Sequence, residues 1–264
     1  MARPPQPFNP VLAMLAAAAA LFFVLPLAGL VARTPWTSAA GVLADPEVQL
    51  ALRLSLVCSL ASTALAAVFG VPLAWVLARL RFPGQDLLRG LTTLPMVLPP
   101  VVGGVALLLA FGRRGLVGAP LAAATGFGLP FTTAGVIVAE SFVAMPFLVI
   151  TVEAGLRSMD VRFEEAARTL GAGRWTVFRR VTLPLIGPSL AAGAVLAWSR
   201  ALGEFGATIT FAGNFPGTTQ TAPLAIYIDL ESGRLPSAVV LSLLLVVVSL
   251  AVLVALRGRY LGGG

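Results

Sequence analysis

The sequence of 264 residues has no lysine, no histidine and one cysteine, and only 11% of it is charged. Each shortage excludes something. Without lysine there is no nucleotide-binding loop of the form G-x-x-x-x-G-K-[ST], whose lysine reaches the phosphates, so ATP-driven work by this protein requires a partner chain. Without histidine, imidazole acid–base catalysis and histidine-based zinc binding are excluded. Cys58 sits in an apolar run and reads as an inert small hydrophobe, silent about redox compartment. A soluble domain carries about a quarter charged residues, more than twice the share found here.

What is present is apolar. Hydrophobic residues make up 58% of the chain, and mean hydropathy is +0.95. That excess exceeds what one water-facing core can hide, and lipid is the solvent that removes the contradiction. A helix rising 1.5 Å per residue needs about 20 apolar residues to cross roughly 30 Å of hydrocarbon. Six runs qualify: Val11–Ala32, Leu50–Ala78, Leu91–Phe111, Thr132–Leu156, Ser189–Ala212 and Pro236–Leu256. Gly70, Pro72, Pro95, Pro99, Pro100, Gly103, Gly104 and Pro146 lie within them, as membrane helices tolerate. The first run has 22 residues, longer than the 7–15 of a signal peptide core, and reads as an uncleaved helix.

All 18 cationic residues are arginine, and all but Arg53 and Arg200, which fall within runs, sit between or outside the apolar runs. They form no basic face, which argues against nucleic acid. With the N-terminus inside, the cytoplasmic side holds Arg3, Arg79, Arg81, Arg89, Arg157, Arg162, Arg168, Arg174, Arg179, Arg180, Arg257 and Arg259. The outer side holds Arg33, Arg113, Arg114 and Arg234. Twelve against four predicts a multi-pass membrane protein with both termini cytoplasmic.

The longest inside segment, 157–187, carries helix signals. Phe163, Ala166, Ala167 and Leu170 recur at the period of an amphipathic helix, Asp160 is a candidate N-cap, and Gly171 and Gly173 are candidate stops. A second short helix is expected through Trp175, Phe178 and Val181, ending before Pro184. Two helices meeting at a glycine turn make a compact knob.

Within that knob, Glu165-Ala166-Ala167, three residues, Gly171, nine residues and Val181-Thr182-Leu183-Pro184 resemble the E-A-A-x3-G-x9-I-x-L-P loop of bacterial and archaeal ABC importer permeases. The one departure is Val181 in place of Ile. The resemblance spreads over roughly 50–256. Arg200-Ala201-Leu202-Gly203-Glu204-Phe205-Gly206-Ala207-Thr208, Phe211-Ala212-Gly213-Asn214 and Pro216 through Tyr227 look like the molybdate permeases, with sulfate and thiosulfate permeases as near relatives.

The resemblance implies an all-α fold of the type I importer class, with an N-terminal helix and outer loop at 1–49 and a permease core at 50–264. It implies a homodimer in the bacterial or archaeal inner membrane, in contact with lipid, two ATPase subunits that hold the ATP and magnesium, and an extracytoplasmic oxyanion-binding protein. It implies no cofactor, metal or catalytic residue in this chain. Glu165, Ala166, Ala167, Gly171, Leu183 and Pro184 would couple it to the ATPase. Molybdate, tungstate and sulfate are tetrahedral dianions alike in charge and shape, so physics alone leaves the choice among them open.

Arg200, Glu204 and Thr208 fall at i, i+4, i+8 and form one stripe on a continuous helix. Arg200 either offers positive potential to a passing dianion or is neutralised by Glu204 as a packing lock. Glu140, within the fourth run, is expected to pair with an arginine, because a pathway carboxylate would repel the anion. Asn214, Thr219 and Gln220, with Thr218 and Thr221, are neutral hydrogen-bonding groups that suit either oxyanion contact or turn chemistry. A gradient-driven secondary transporter is the competing class. It calls for paired repeats, and no clear repeat is present; Glu140 and Glu204 are its only candidate acids.

Overall fold

In lipid a spanning segment must satisfy its backbone polar groups internally, which long apolar runs do by coiling into helices. The computed structural model describes residues 10–256, and among these there is no strand. Arg3, Arg257 and Arg259 lie outside the described residues.

Helix α1 (Pro10–Arg33) buries none of its residues and touches α14 (Leu235–Leu256). A short α2 (Trp36–Ala44) leads through Asp45, whose side chain accepts a hydrogen bond from the Glu47 N–H at 2.8 Å, into α3 (Pro46–Arg79). With 34 residues, α3 is about 51 Å long at 1.5 Å per residue and overshoots the hydrocarbon. Its buried side is a ladder of small groups, Ala51, Ser55, Ser59, Ser62, Ala66, Gly70 and Ala74. This ladder lets α7 (Thr133–Ser158) lie close along it, with Gly70 directly beneath Met145, Leu148 and Val149. Lipid tails are as apolar as leucine, so close packing of this kind drives helix association in a membrane. Leu148, Val149, Val152 and Leu156 of α7, with Leu77 of α3 and Ala197 and Ala201 of α11 (Gly187–Leu202), complete the core.

Among the described residues, four helices are long and apolar enough to cross a membrane: α1, α3, α7 and α14. The other two expected spans are each broken. The run Leu91–Phe111 is divided into α4 (Gln85–Val97) and α5 (Pro100–Phe111) at Leu98 and Pro99, both extended. Each of them precedes a proline, and proline's ring disfavours helical backbone in the residue before it. The run Ser189–Ala212 is divided into α11 and α12 (Gly206–Phe211) at Gly203–Phe205. Interrupted backbone at such depth is tolerated when protein covers it. Here α12 is seated on α5 and α7, with Leu107, Ala139, Val143, Ala207 and Phe211 in one buried cluster.

The seat depends on Gly104. A Cβ there would lie 2.6 Å from Thr210 Cβ and 2.9 Å from the Ala207 carbonyl oxygen, which is backbone and has little room to retreat. Gly104→Ala is therefore expected to lower stability by about 1–3 kcal/mol. Thermal unfolding of the detergent-solubilised protein reads this, with Gly90→Ala, which meets nothing within 4 Å, as the unaffected control.

Three connections hold helices that the apolar pattern did not signal: α2, α6 (Gly118–Thr125) and α13 (Ala222–Glu231). The N–H of Ala222, at the start of α13, donates to Ser55 Oγ at 2.6 Å and fixes that connection to α3. The segment after α7 contains α8 (Arg162–Thr169), α9 (Arg174–Val177), a π-helical turn (Phe178–Thr182) and α10 (Leu183–Leu185). Helical backbone thus continues past Pro184 instead of ending before it. Pro184 has no N–H to give the Arg180 carbonyl, and a π-helical turn, bonded i to i+5, precedes it where a regular α turn would lack that bond.

Candidate functional site

At one end of the bundle α8 projects as a knob. Asp160 Oδ1 accepts from the Arg162 N–H at 2.9 Å and starts the helix. Gly171 ends it in the left-handed region, φ 84°, with its N–H on the Arg168 carbonyl at 2.9 Å and the Ala172 N–H on the Ala167 carbonyl at 3.1 Å. The 174–185 stretch then meets α11 at 70°. The apolar stripe read from the sequence faces outward: Phe163, Ala166 and Leu170 are exposed, Leu170 at 88%, and so are Val161 and Trp175 beside them. Glu165 is exposed, Ala167 and Leu183 half-buried, Pro184 exposed. An apolar, projecting surface of small and aromatic side chains is what a second protein can cover.

The buried acid of α8 is Glu164, the neighbour of the motif glutamate. Its Oε1 accepts from Thr182 Oγ1 at 2.7 Å and lies 3.4 Å from Arg79 Nη2, while Oε2 is 3.8 Å from Arg168 Nη2. Beside it, Glu153 Oε1 receives Arg89 Nη2 at 3.1 Å and Arg157 Nε at 2.9 Å. The Leu77 carbonyl, one of the last four of α3 and without an intrahelical partner, accepts from Gln85 Nε2, Arg89 Nη2 and Arg157 Nη2 at 2.7, 3.4 and 3.2 Å. Cations at a helix C-terminus also answer its partial negative charge. Sequence reasoning missed Glu153 and Glu164. The signal for Glu164 was an acid off the apolar stripe of a short helix; for Glu153, on α7, it was an acid four residues before Arg157 at the end of a long span.

The residues proposed for a pathway are dispersed. Arg200 Nη2 is ion-paired with Glu204 Oε2, and Glu204 Oε1 accepts from the Ala207 N–H at 2.7 Å, capping α12. The expected single stripe is therefore interrupted: Arg200 is on α11, Glu204 in the break and Thr208, fully buried, on α12. The capping bond is the reason, because it uses the Glu204 side chain to begin a new helix. Glu140 has no arginine partner among the described residues, and its Oε2 has no hydrogen-bond partner. Arg200 of α11, a helix that packs on α7, is ion-paired with Glu204 instead.

Thr219 is buried, its Oγ1 accepting from the Phe215 N–H at 2.9 Å, and Asn214 is half-buried. Gln220 lines a cleft of about 230 Å³ at the end opposite the knob, with Asp45, Glu47, Asp229 and Arg234. Arg234 and Asp229 there are paired at 2.7 Å. Cys58 is buried against Val136 and Ala212. No group of histidine, cysteine or acidic residues suited to a metal occurs among the described residues.

Residues 70–261 match the family described as binding-protein-dependent transport system inner membrane component. The chain is 48% identical to the molybdenum transport system permease protein ModB of Mycobacterium tuberculosis over 244 residues, 92% of each chain. It is 37% identical to the sulfate transport system permease protein CysT of Escherichia coli over 240 residues, 90% of this chain and 86% of that one. A bacterial ABC transporter involved in the import of alginate contains a chain of similar fold, with TM-score 0.73 and 19% identity over 95% of this chain and 94% of that one.

Proposed function

The chain belongs to the family of binding-protein-dependent transport system inner membrane components, and from that membership we propose that it forms the translocation pathway of an ATP-driven importer for an oxyanion, molybdate. It is a multi-pass inner-membrane subunit. The knob faces the cytoplasm, both termini lie on that side, and the cleft around Gln220 faces out. Two copies of the chain form the pathway within the lipid. Two ATPase subunits hold the ATP and magnesium, and an extracytoplasmic binding protein delivers the anion.

One observation carries the reading. Glu165, Ala166, Phe163 and Leu170 stand on a projecting helix with no cover from their own chain. The small side chains let a partner groove approach closely, and the apolar ones leave water when it does. ATP binding that draws the two ATPases together would then draw the knobs together and open the pathway toward the delivered anion. Likeness to a molybdenum permease along nearly the whole chain supports molybdate, and the more distant sulfate relative supports sulfate as the second reading.

Proteoliposomes holding this chain with its ATPase and binding protein are expected to accumulate molybdate only when ATP and the binding protein are both supplied. Accumulation driven by an ion gradient without ATP would sink the proposal. Uptake of sulfate in preference to molybdate would replace the cargo and keep the mechanism.

A further inference from the structure

Glu164 is the one buried residue of α8, and it stands where three elements meet. Thr182 Oγ1 on its Oε1, at 2.7 Å, belongs to the π-helical turn, and both groups are buried. Arg79, 3.4 Å away, is the last residue of α3, and its side chain is only 15% exposed. Among the described residues Glu164 is the carboxylate paired with Arg79, through Nη2, while Arg79 Nε is buried without a hydrogen-bond partner. Thr182 is the buried residue of the π-helical turn. Such turns often mark functional positions, because one extra residue per turn re-aims every side chain beyond it.

A push on α8 has two routes to the spans. Along the backbone it must pass the Gly171 turn, a four-residue helix, the π-helical turn and a 70° bend before reaching α11. Each of these absorbs displacement. Across space it passes through one charge-assisted contact to the end of α3, the helix that packs along both α7 and α11. At 3.4 Å that contact is long for a charge-assisted hydrogen bond, and the short bond on Glu164 is the one from Thr182 Oγ1, at 2.7 Å. We infer that Glu164 is the tie that makes the knob and α3 move as one body. It is a positioning residue for transport, acting through Arg79 and Thr182 and touching neither ATPase nor anion. The inference rests on the permease reading above.

The test is the ratio of oxyanion taken up to ATP hydrolysed, measured on the complete complex in proteoliposomes. Glu164→Ala is expected to assemble with the ATPase and continue hydrolysis while the ratio falls tenfold or more. Arg79→Gln and Thr182→Val, which each remove one strand of the tie, should give smaller losses and decide the matter should Glu164→Ala fail to assemble. The charge-exchanged pair Glu164→Arg with Arg79→Glu should recover at least half of the ratio that either single reversal destroys, a rescue that mere damage to the fold would not show. An unchanged ratio in Glu164→Ala, or in both milder variants, overturns the inference. Absence of ATP-dependent uptake by the unaltered complex overturns the permease reading instead.

Discussion

Gly171→Pro is expected to cut ATP-dependent uptake about a hundredfold while leaving the spans folded. Gly171 has φ 84°, and a proline ring holds φ near −65°, so the turn that ends α8 would be rebuilt. The substitution also removes the N–H that donates to the Arg168 carbonyl at 2.9 Å. It further pushes Leu170, now at ψ 11°, toward extended backbone. Proline misplaced in this way costs about 3 kcal/mol or more, which at 1.4 kcal/mol per tenfold is about two powers of ten in the docking-competent arrangement. Gly171→Ala separates the backbone cost from simple crowding. Its Cβ meets nothing within 4 Å, so only the left-handed conformation is penalised, by about 1–2 kcal/mol. It should keep about a fifth to a twenty-fifth of the uptake. Uptake by Gly171→Pro at the unaltered rate would show that the knob's shape is irrelevant to transport.

The second large effect is expected at Glu204, this time on stability. Glu204 is 1% exposed, ion-paired with Arg200 and bonded to the first turn of α12. Removing one partner of a buried pair costs about 3–5 kcal/mol because the other charge is left uncompensated. Loss of a helix cap adds about 0.5–2 kcal/mol. Glu204→Ala should therefore unfold far below the unaltered protein in a thermal scan. The double variant Arg200→Leu with Glu204→Leu should recover most of the pair's share, since an apolar pair of similar volume can replace a buried ionic one. Uptake by that double variant then decides what Arg200 is for. If uptake returns with stability, the pair is a packing lock; if stability returns alone, the guanidinium serves the passing dianion. A Glu204→Ala protein as stable as the parent would refute the account of the break.

Much of the site was legible in one dimension. The spacing from Glu165 to Pro184, the φ demanded of Gly171 and the apolar stripe of α8 are all local, so counting residues found them. The breaks at Pro99 and Glu204 were half legible. The prolines were visible, but an unbroken hydropathy run conceals a chain that stops and restarts inside it. Glu164 was illegible beside Glu165, because only the approach of α3 and the π-helical turn to one side of α8 makes the first acid an anchor and leaves the second free.

The sequence by itself determined that this protein lives in a bilayer, where its long spans run, that it carries no lysine-based nucleotide loop, and that a helical knob follows the fourth span. Those properties follow from hydropathy, helix period and the absence of lysine, each of which is written along the chain. Only the tertiary structure decided that Arg200 is paired with Glu204, that Glu140 has no cationic partner among the described residues, that Glu164 pairs with Arg79 at the end of α3, and that Glu153 holds the two arginines that bond to the Leu77 carbonyl. Choice of partner depends on which faces meet, and that is set by close packing of small residues such as Gly70 and Gly104 across helices distant in sequence.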